Sequence, residues 1–161
     1  MSQTSLSMNA TKVEKRGFRL SAKVLSLLVL LAAIGVSGYL SYLKLDTSAA
    51  PVCVSGGAFD CGVVLNSVYS ELAGIPIAYL GLATNFVVVG LLLLESRLGI
   101  LREYGPVLVF GVVLLAFLFS VYLVYVQAAL ISAYCPWCLT HEALIAVLFG
   151  LSTWRLWQWA Q

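Results

Sequence analysis

Four apolar stretches, each about as long as a bilayer is thick, constrain the fold of this chain more than any other feature. A transmembrane helix needs about 20 consecutive, mostly apolar residues. Of the 161 residues, 61% are hydrophobic and only 10% are charged, whereas soluble domains are roughly half apolar and a quarter charged. The sequence therefore predicts an all-α membrane protein, a bundle of four transmembrane helices. We place the spans at residues 18–43, 76–94, 104–133 and 138–159.

Between the first two spans lies one long, turn-rich loop, residues 44–75. Several apolar residues that follow Cys61 recur at helical spacing, namely Val63, Val64, Leu65, Val68, Tyr69 and Leu72. We therefore expect a short amphipathic helix that lies on or caps the bundle at its extracytoplasmic end. Residues 1–17 are polar and are predicted to form a flexible cytoplasmic tail, which leaves residues 18–161 as the transmembrane domain.

The positions of lysine and arginine predict how the chain is oriented. If the amino terminus is inside, only Lys44 of the nine basic residues lies outside. The other eight are Lys12, Lys15, Arg16, Arg19, Lys23, Arg97, Arg102 and Arg155. Basic residues favour the cytoplasmic side, so both termini are predicted there and all four cysteines on the opposite side, where disulfides persist. A cleaved signal peptide is the alternative for the first span, which is longer than a usual apolar core of that kind.

The four cysteines form two local pairs, Cys53 with Cys61 in the loop and Cys135 with Cys138 before the last span. Pairs of the form C-x-x-C often have a lowered thiol pKa. Pro136 suits the first position of a helix, which would put Cys138 in a first turn whose unpaired N–H groups favour a thiolate. Two pairs on one membrane face suggest a relay, because thiol–disulfide exchange passes two electrons through a mixed disulfide.

Two structural explanations of the cysteines stay open on the residues alone. The pairs could be stabilising disulfides, although closing a ring as small as C-x-x-C removes little chain entropy. The four thiolates could instead hold zinc, although the spacings of the two pairs are uneven. Nucleic-acid binding has no support, because no basic stripe on a polar fold is present.

Four motifs follow one another in a specific order, with the cysteine loop before the second span and C-x-x-C before the fourth. They are Cys53-Val54-Ser55-Gly56-Gly57-Ala58-Phe59-Asp60-Cys61, Val64-Leu65-Asn66-Ser67, Gly74-Ile75-Pro76 with Leu80-Gly81, and Cys135-Pro136-Trp137-Cys138-Leu139-Thr140. This ordered set resembles the vitamin K epoxide reductase family over about residues 20–160. The resemblance implies a four-helix bundle around a quinone pocket that the first loop caps.

The same resemblance implies a role for each cysteine. Cys135 and Cys138 would form the active-site disulfide, with Cys138 facing the quinone. Cys61 would exchange with Cys135, and Cys53 would meet a partner protein. Ser67 matches a serine of the family's loop that lies near the pocket.

Trp137, His141 and Glu142 are further cofactor-binding candidates. Ionisable residues within a membrane span are functional candidates, and quinone reduction takes up two protons that a nearby acid–base group can supply. The alternatives are that His141 and Glu142 only reach interfacial water and that Trp137 belongs to an aromatic belt. Vertebrate members of the family have a tyrosine where this chain has Glu142, which favours a bacterial role over vitamin K epoxide reduction. Thr84 and Asn85 are predicted to make helix–helix hydrogen bonds.

The sequence thus predicts a quinone-dependent thiol–disulfide oxidoreductase of the bacterial inner membrane. Electrons would pass from a thioredoxin-fold dithiol protein, acting in trans because no such domain follows the bundle, through both cysteine pairs to ubiquinone or menaquinone. No metal is expected, and the product is disulfide formation in exported proteins. One alternative within the family is a vitamin K quinone or epoxide reductase. A rival family in the same functional class is the bacterial disulfide-bond oxidase B family, in which the order of the pairs is reversed. Electron flow in the other direction, which would reduce a partner or an oxidised quinone derivative, is a further alternative. A non-catalytic membrane scaffold or metal-handling subunit is the alternative from a different class.

Overall fold

The computed structural model describes residues 2–46, 58–95, 97 and 99–160, with side chains from Ser21 onward except those of residues 100–102. The helices are α1 (Ser2–Leu45), α2 (Cys61–Leu65), α3 (Ile77–Leu94), α4 (Gly99–Tyr125) and α5 (Pro136–Ala160). Four segments within the described residues are long and apolar enough to cross a membrane: Ser21–Leu45, Ile77–Leu94, Glu103–Ile131 and Pro136–Ala160. The predicted all-α membrane bundle is confirmed. Because α1 begins at Ser2, the backbone is helical throughout most of the predicted tail of residues 1–17, and the flexibility of that tail stays a prediction.

The four long helices pack around a core to which each of them contributes. Helix α1 contacts α3 and α5, and α4 contacts the same two helices. The buried core residues are Leu30, Val88, Leu92, Val109, Val113 and Leu148. Large apolar side chains such as Leu31 and Leu115 remain exposed on the outer faces, where a lipid environment accommodates them. Buried serines of α1 donate to carbonyl oxygens one turn earlier, as Ser37 does to Ala33 at 2.7 Å, so their hydroxyl groups are satisfied within the helix.

The predicted amphipathic helix of the loop is shorter than expected. Helix α2 begins after Asp60, whose Oδ1 accepts the backbone N–H of Val63 at 3.1 Å, an N-cap bond. It ends at Leu65, because the side chains of Asn66 and Ser67 bond the carbonyls of Gly62 and Val64 at 3.0 and 2.9 Å. Such local bonds compete with continued helix.

A small hairpin completes this segment. A 3₁₀ turn, Val68–Ser70, leads into strands β1 (Glu71–Leu72) and β2 (Ile75–Pro76), which pair antiparallel. The two residues between the strands, Ala73 and Gly74, both have positive φ, at 53° and 80°, as a two-residue hairpin turn requires. We call residues 58–76 the cap.

Helix α4 does not run regularly to the cysteine motif. It continues as a π-helix, Val126–Ile131, and Ser132 follows in the left-handed conformation with φ of 54°. The third span was predicted to reach residue 133 and instead ends two residues earlier. A π-turn widens the helix and often occurs at functional sites; here it lies directly before the motif.

Candidate active site

The two thiols of the C-x-x-C motif meet at the start of α5. Cys135 precedes the helix, and its carbonyl accepts the first helical bond from Leu139 at 2.9 Å, so it occupies the N-cap. The backbone N–H of Cys138 donates to Cys135 Sγ at 3.3 Å. Both cysteines are free thiols, which is the reduced form of this pair. The sequence predicts that the helix start supports a thiolate at Cys138. In the structure it supports Cys135 instead, because an N-cap side chain receives the N–H groups of the first turn.

These contacts change the acidity of Cys135. The hydrogen bond from the Cys138 thiol is the largest cause that lowers the pKa of Cys135, and the backbone N–H groups of Cys138 and Trp137 act in the same direction. Burial acts the other way, because it disfavours a charged sulfur. The net result is a lowered pKa, so Cys135 is the better leaving group in thiol–disulfide exchange.

Of the loop pair, Cys61 lies within the described residues and Cys53 lies outside them. Cys61 is disulfide-bonded and is 1% exposed. It is the first residue of α2. Because α2 is part of the cap, the cap fixes the position of the Cys61 backbone. The pairing of Cys61 with Cys53 stays a prediction.

The cap holds Cys61 next to the head of α5. Two backbone hydrogen bonds join Tyr134 to the cap: its carbonyl accepts from Asp60 at 3.1 Å, and its N–H donates to Ala58 at 2.9 Å. This parallel bridge aligns the residues just before Cys61 with the residue just before Cys135. Both cysteines consequently lie in one buried cluster, whose members are Leu40, Cys61, Val64, Ala133 and Cys135.

A cavity of about 160 Å³ lies between the helices and the cap. Cys138, Ser67, His141 and Glu142 all line it, so three of the four predicted cofactor-binding residues lie together beside the second active-site sulfur. The remaining lining is mostly apolar, including Leu40, Ala78, Leu80, Ala116, Phe119 and Ile145. Apolar cavities of about 150 Å³ hold a benzene ring, so the space fits one six-membered ring.

Glu142 presents an unsatisfied oxygen in this lining. The residue is 9% exposed and shares a hydrogen bond with Ser120. Its Oε2 has no hydrogen-bond partner among the described residues. Leaving a buried polar atom unpaired costs about 1–3 kcal/mol. A ligand with a hydroxyl group at its edge would donate to this oxygen, and a carbonyl oxygen at that edge would accept from it when the carboxyl carries its proton.

His141 belongs to a short polar chain that crosses the bundle. Its Nε2 lies 3.2 Å from Asn85 Nδ2, which also lies 3.3 Å from Ser37 Oγ. Asn85 thus bridges α1, α3 and α5, and its predicted helix–helix role is confirmed. The same prediction was wrong for Thr84, whose hydroxyl donates to Leu80 of its own helix at 2.8 Å. Among the residues that the structure describes, no group of three or more His, Cys, Asp or Glu is placed to hold a metal ion.

Comparisons with known proteins agree with a redox site of this geometry. Residues 24–153 match the vitamin K epoxide reductase family. The chain belongs to this family. It is also 35% identical over 121 residues to the thiol-disulfide oxidoreductase LTO1 of Arabidopsis thaliana, covering 72% of this chain and 32% of that relative. The chain thus spans about a third of the length of this curated relative. Both comparisons support a redox function for this membrane protein.

In this member of the vitamin K epoxide reductase family, the predicted cofactor-binding residue Trp137 is not among the residues lining the cavity. Its indole instead packs against Tyr39 of α1, with ring centroids 4.9 Å apart. Trp137 is the second residue of α5, and its position one residue before Cys138 turns it towards a different face. The contact helps to fix the head of α5 against α1.

Gln127, which the sequence did not predict as a site residue, positions the active site. Its Oε1 accepts the backbone N–H of Cys135 at 2.9 Å, and its carbonyl accepts the N–H of Ala133 at 3.3 Å. Gln127 is 3% exposed and lies in the π-helix. The available signal was a single amide within the long apolar run of residues 104–133, in a setting where polar side chains usually have a specific partner.

Proposed function

We propose that this protein is a membrane thiol–disulfide oxidoreductase that passes electrons from a thioredoxin-fold dithiol protein to a quinone. The observation that carries the proposal is the placement of three sulfurs. Cys61 and Cys135 share one buried cluster, and Cys138 packs against that cluster and also lines a ring-sized cavity. The C-x-x-C pair is thus placed to exchange with the loop disulfide through Cys135 and to contact a ligand through Cys138, as a relay requires.

The first transfer uses the loop pair, which we take to be a Cys53–Cys61 disulfide. A thiolate of the partner attacks Cys53 and releases the Cys61 thiolate, and the partner's second thiol then closes the partner's own disulfide. Two electrons and two protons have passed to the loop. Cys61 next attacks Cys135 in a Cys135–Cys138 disulfide and releases the Cys138 thiolate.

The second transfer restores the loop disulfide. Cys53 attacks Cys61 in the mixed disulfide, and Cys135 leaves as the thiolate that its lowered pKa favours. The pair Cys135 and Cys138 is then fully reduced while Cys61 is again disulfide-bonded.

The last step oxidises the C-x-x-C pair. Two thiols become a disulfide, and two electrons and two protons reduce a quinone to its quinol. Enzymes of this family use quinones, and ubiquinone or menaquinone is the acceptor that suits a membrane protein. The ring-sized cavity beside Cys138 and the unpaired Glu142 oxygen support this choice. The net outcome would be disulfide formation in exported proteins.

Quinone reduction by the purified protein tests this proposal. We expect Cys135→Ala and Cys138→Ala to abolish turnover with any donor. Cys53→Ala and Cys61→Ala should abolish turnover with a thioredoxin-fold dithiol protein but keep part of it with a small permeant dithiol, which can reach the C-x-x-C pair directly. Ser152→Ala is the control, because the buried Ser152 hydroxyl donates to the backbone carbonyl of Phe149 on the same helix. Full activity in Cys138→Ala would contradict the proposal.

A further inference from the structure

We propose that His141 is held as a neutral imidazole with its proton on Nδ1, and that this N–H donates a hydrogen bond to a carbonyl oxygen of the quinone ring in the cavity. The proposal rests on the proposed function for its ligand. The state of the ring itself follows from the polar chain that crosses the bundle.

Counting hydrogens along this chain fixes the tautomer. The single hydroxyl proton of Ser37 is directed to the Ala33 carbonyl at 2.7 Å, so Ser37 Oγ acts as acceptor towards Asn85 Nδ2 at 3.3 Å. The amide has a second hydrogen, which lies between Asn85 Nδ2 and His141 Nε2 at 3.2 Å. Nε2 must therefore accept. A neutral imidazole with an accepting Nε2 carries its proton on Nδ1.

Burial and close packing surround this arrangement. Asn85 is 1% exposed and Ser37 is 2% exposed, and the open space that both residues border is the cavity itself. Gly81, one turn before Asn85 on α3, leaves room for the ring: an added Cβ would meet His141 Cε1 at 3.5 Å and Nε2 at 3.8 Å. The imidazole therefore rests against α3 on the edge that carries Nε2.

The remaining polar group of the ring is the one a ligand would meet. His141 lines the cavity together with Cys138, and Nε2 is already engaged by Asn85. Nδ1–H is thus the donor left for a carbonyl oxygen beside the sulfur that delivers electrons. A neutral imidazole can stabilise charge that develops on such an oxygen without giving up its proton.

Nitrogen NMR tests the tautomer directly, because the chain contains one histidine. The full-length protein is labelled with ¹⁵N-histidine and purified without a histidine tag. We expect a protonated Nδ1 and an unprotonated Nε2. A proton on Nε2, or on both nitrogens, would overturn the proposal.

Adding a short-chain ubiquinone to the labelled Cys138→Ser variant, in which electron transfer is blocked, tests the ligand contact. The Nδ1 signal should shift more than that of Nε2. An Nδ1 signal that does not move under quinone saturation would overturn the contact.

Two amide substitutions at His141 test by activity which ring nitrogen contacts the ligand. The amide of His141→Asn places an N–H near the Nδ1 position, whereas that of His141→Gln reaches the Nε2 position. We expect His141→Gln to lower kcat by about 100-fold, the general cost of losing a donor to a developing oxyanion, and His141→Asn to retain clearly more. Equal loss in the two variants would contradict the proposal.

Asn85 and Ser37 act as positioning residues, so their variants need the NMR readout. Asn85→Leu should produce a mixture of tautomers, and Ser37→Ala should weaken the Nδ1 preference. Ser26→Ala, which removes a buried hydroxyl bonded to Ala22 on the same helix, should leave the spectrum unchanged. If wild-type protein reduces no quinone, the proposed function fails while the tautomer is still decided by NMR. If quinone reduction is normal and the proton is on Nε2, only the present inference fails.

Discussion

At the scale of single residues, the two thiols of one motif have different settings. Cys135 caps α5 and accepts the N–H of Cys138 through its sulfur, whereas Cys138 lines the cavity. The helix start therefore favours negative charge on the sulfur that exchanges with the loop. The other sulfur is left to meet the acceptor.

The pH dependence of Cys135 follows from these contacts. Because the pKa of Cys135 is lowered chiefly by the Cys138 thiol, its thiolate should form below the pH of an ordinary thiol, whose pKa is about 8.5. Cys138→Ala removes that hydrogen bond and leaves burial in place, so the Cys135 transition should move to higher pH. Ultraviolet absorbance of the thiolate in a Cys53→Ala/Cys61→Ala background measures both transitions. A transition that stays in place or moves to lower pH would contradict this cause.

The residues that the sequence could predict are those whose type alone implies chemistry. The cysteines carry a motif, and His141 and Glu142 interrupt an apolar run, so the sequence alone predicts them as site residues. Gln127 was missed because its partner is a backbone N–H that only the π-helix brings near. The sequence also could not predict which way the Trp137 side chain points, because that depends on the residue at which α5 begins.

At the scale of elements, one ion pair ties the far end of the bundle together. Arg155 of α5 donates to Glu95, at the end of α3, at 2.7 Å, and the two side chains are 11% and 18% exposed. Gly105 of α4 makes room for it, because an added Cβ would come within 2.9 Å of Glu95 Cγ. Three helices thus meet at one mostly buried charge pair.

Removing one partner of this pair should destabilise the bundle. We expect Arg155→Met to lower the free energy of unfolding by about 2 kcal/mol, as for other hydrogen bonds to charged groups. Gly105→Ala should also destabilise, because the new methyl group displaces Glu95. Denaturant unfolding in mixed micelles measures both, with the exposed Arg97→Met as the matched control. An Arg155→Met effect no larger than that of Arg97→Met would contradict the role of the pair.

The elements differed in how far the sequence could predict them. Apolar runs of bilayer length identified the four long helices, because membrane spanning depends mainly on length and composition. The sequence predicts a longer helix in the cap, because Val68, Tyr69 and Leu72 keep helical spacing. In the structure, Asn66 ends the helix, and Ala73-Gly74 forms a hairpin turn. Local side-chain bonds decided that outcome, and periodicity does not report them.

At the scale of the whole molecule, the cap lies at one end of the bundle with Cys61, Cys135 and Cys138, and the ion pair lies at the other. The distribution of basic residues predicts that the cysteine end faces away from the cytoplasm. Single reporter cysteines in a cysteine-free background test this orientation. Leu72→Cys, on the exposed hairpin, should react with an impermeant thiol reagent in intact cells. Arg97→Cys, in the opposite turn, should react only after lysis, and the reverse pattern would contradict the orientation.

The central claim is that Cys61 and Cys135 exchange directly, and trapping their mixed disulfide is the most direct measurement. The Cys53→Ala/Cys138→Ala variant keeps only these two cysteines, and the Cys53→Ala/Cys135→Ala variant, which keeps Cys61 and Cys138, is the matched control. After mild oxidation, peptide mass spectrometry should find the Cys61–Cys135 disulfide in the first variant and little or no bridge in the second. A Cys61–Cys138 bridge that forms as readily, or a first variant that forms no bridge, would contradict the relay.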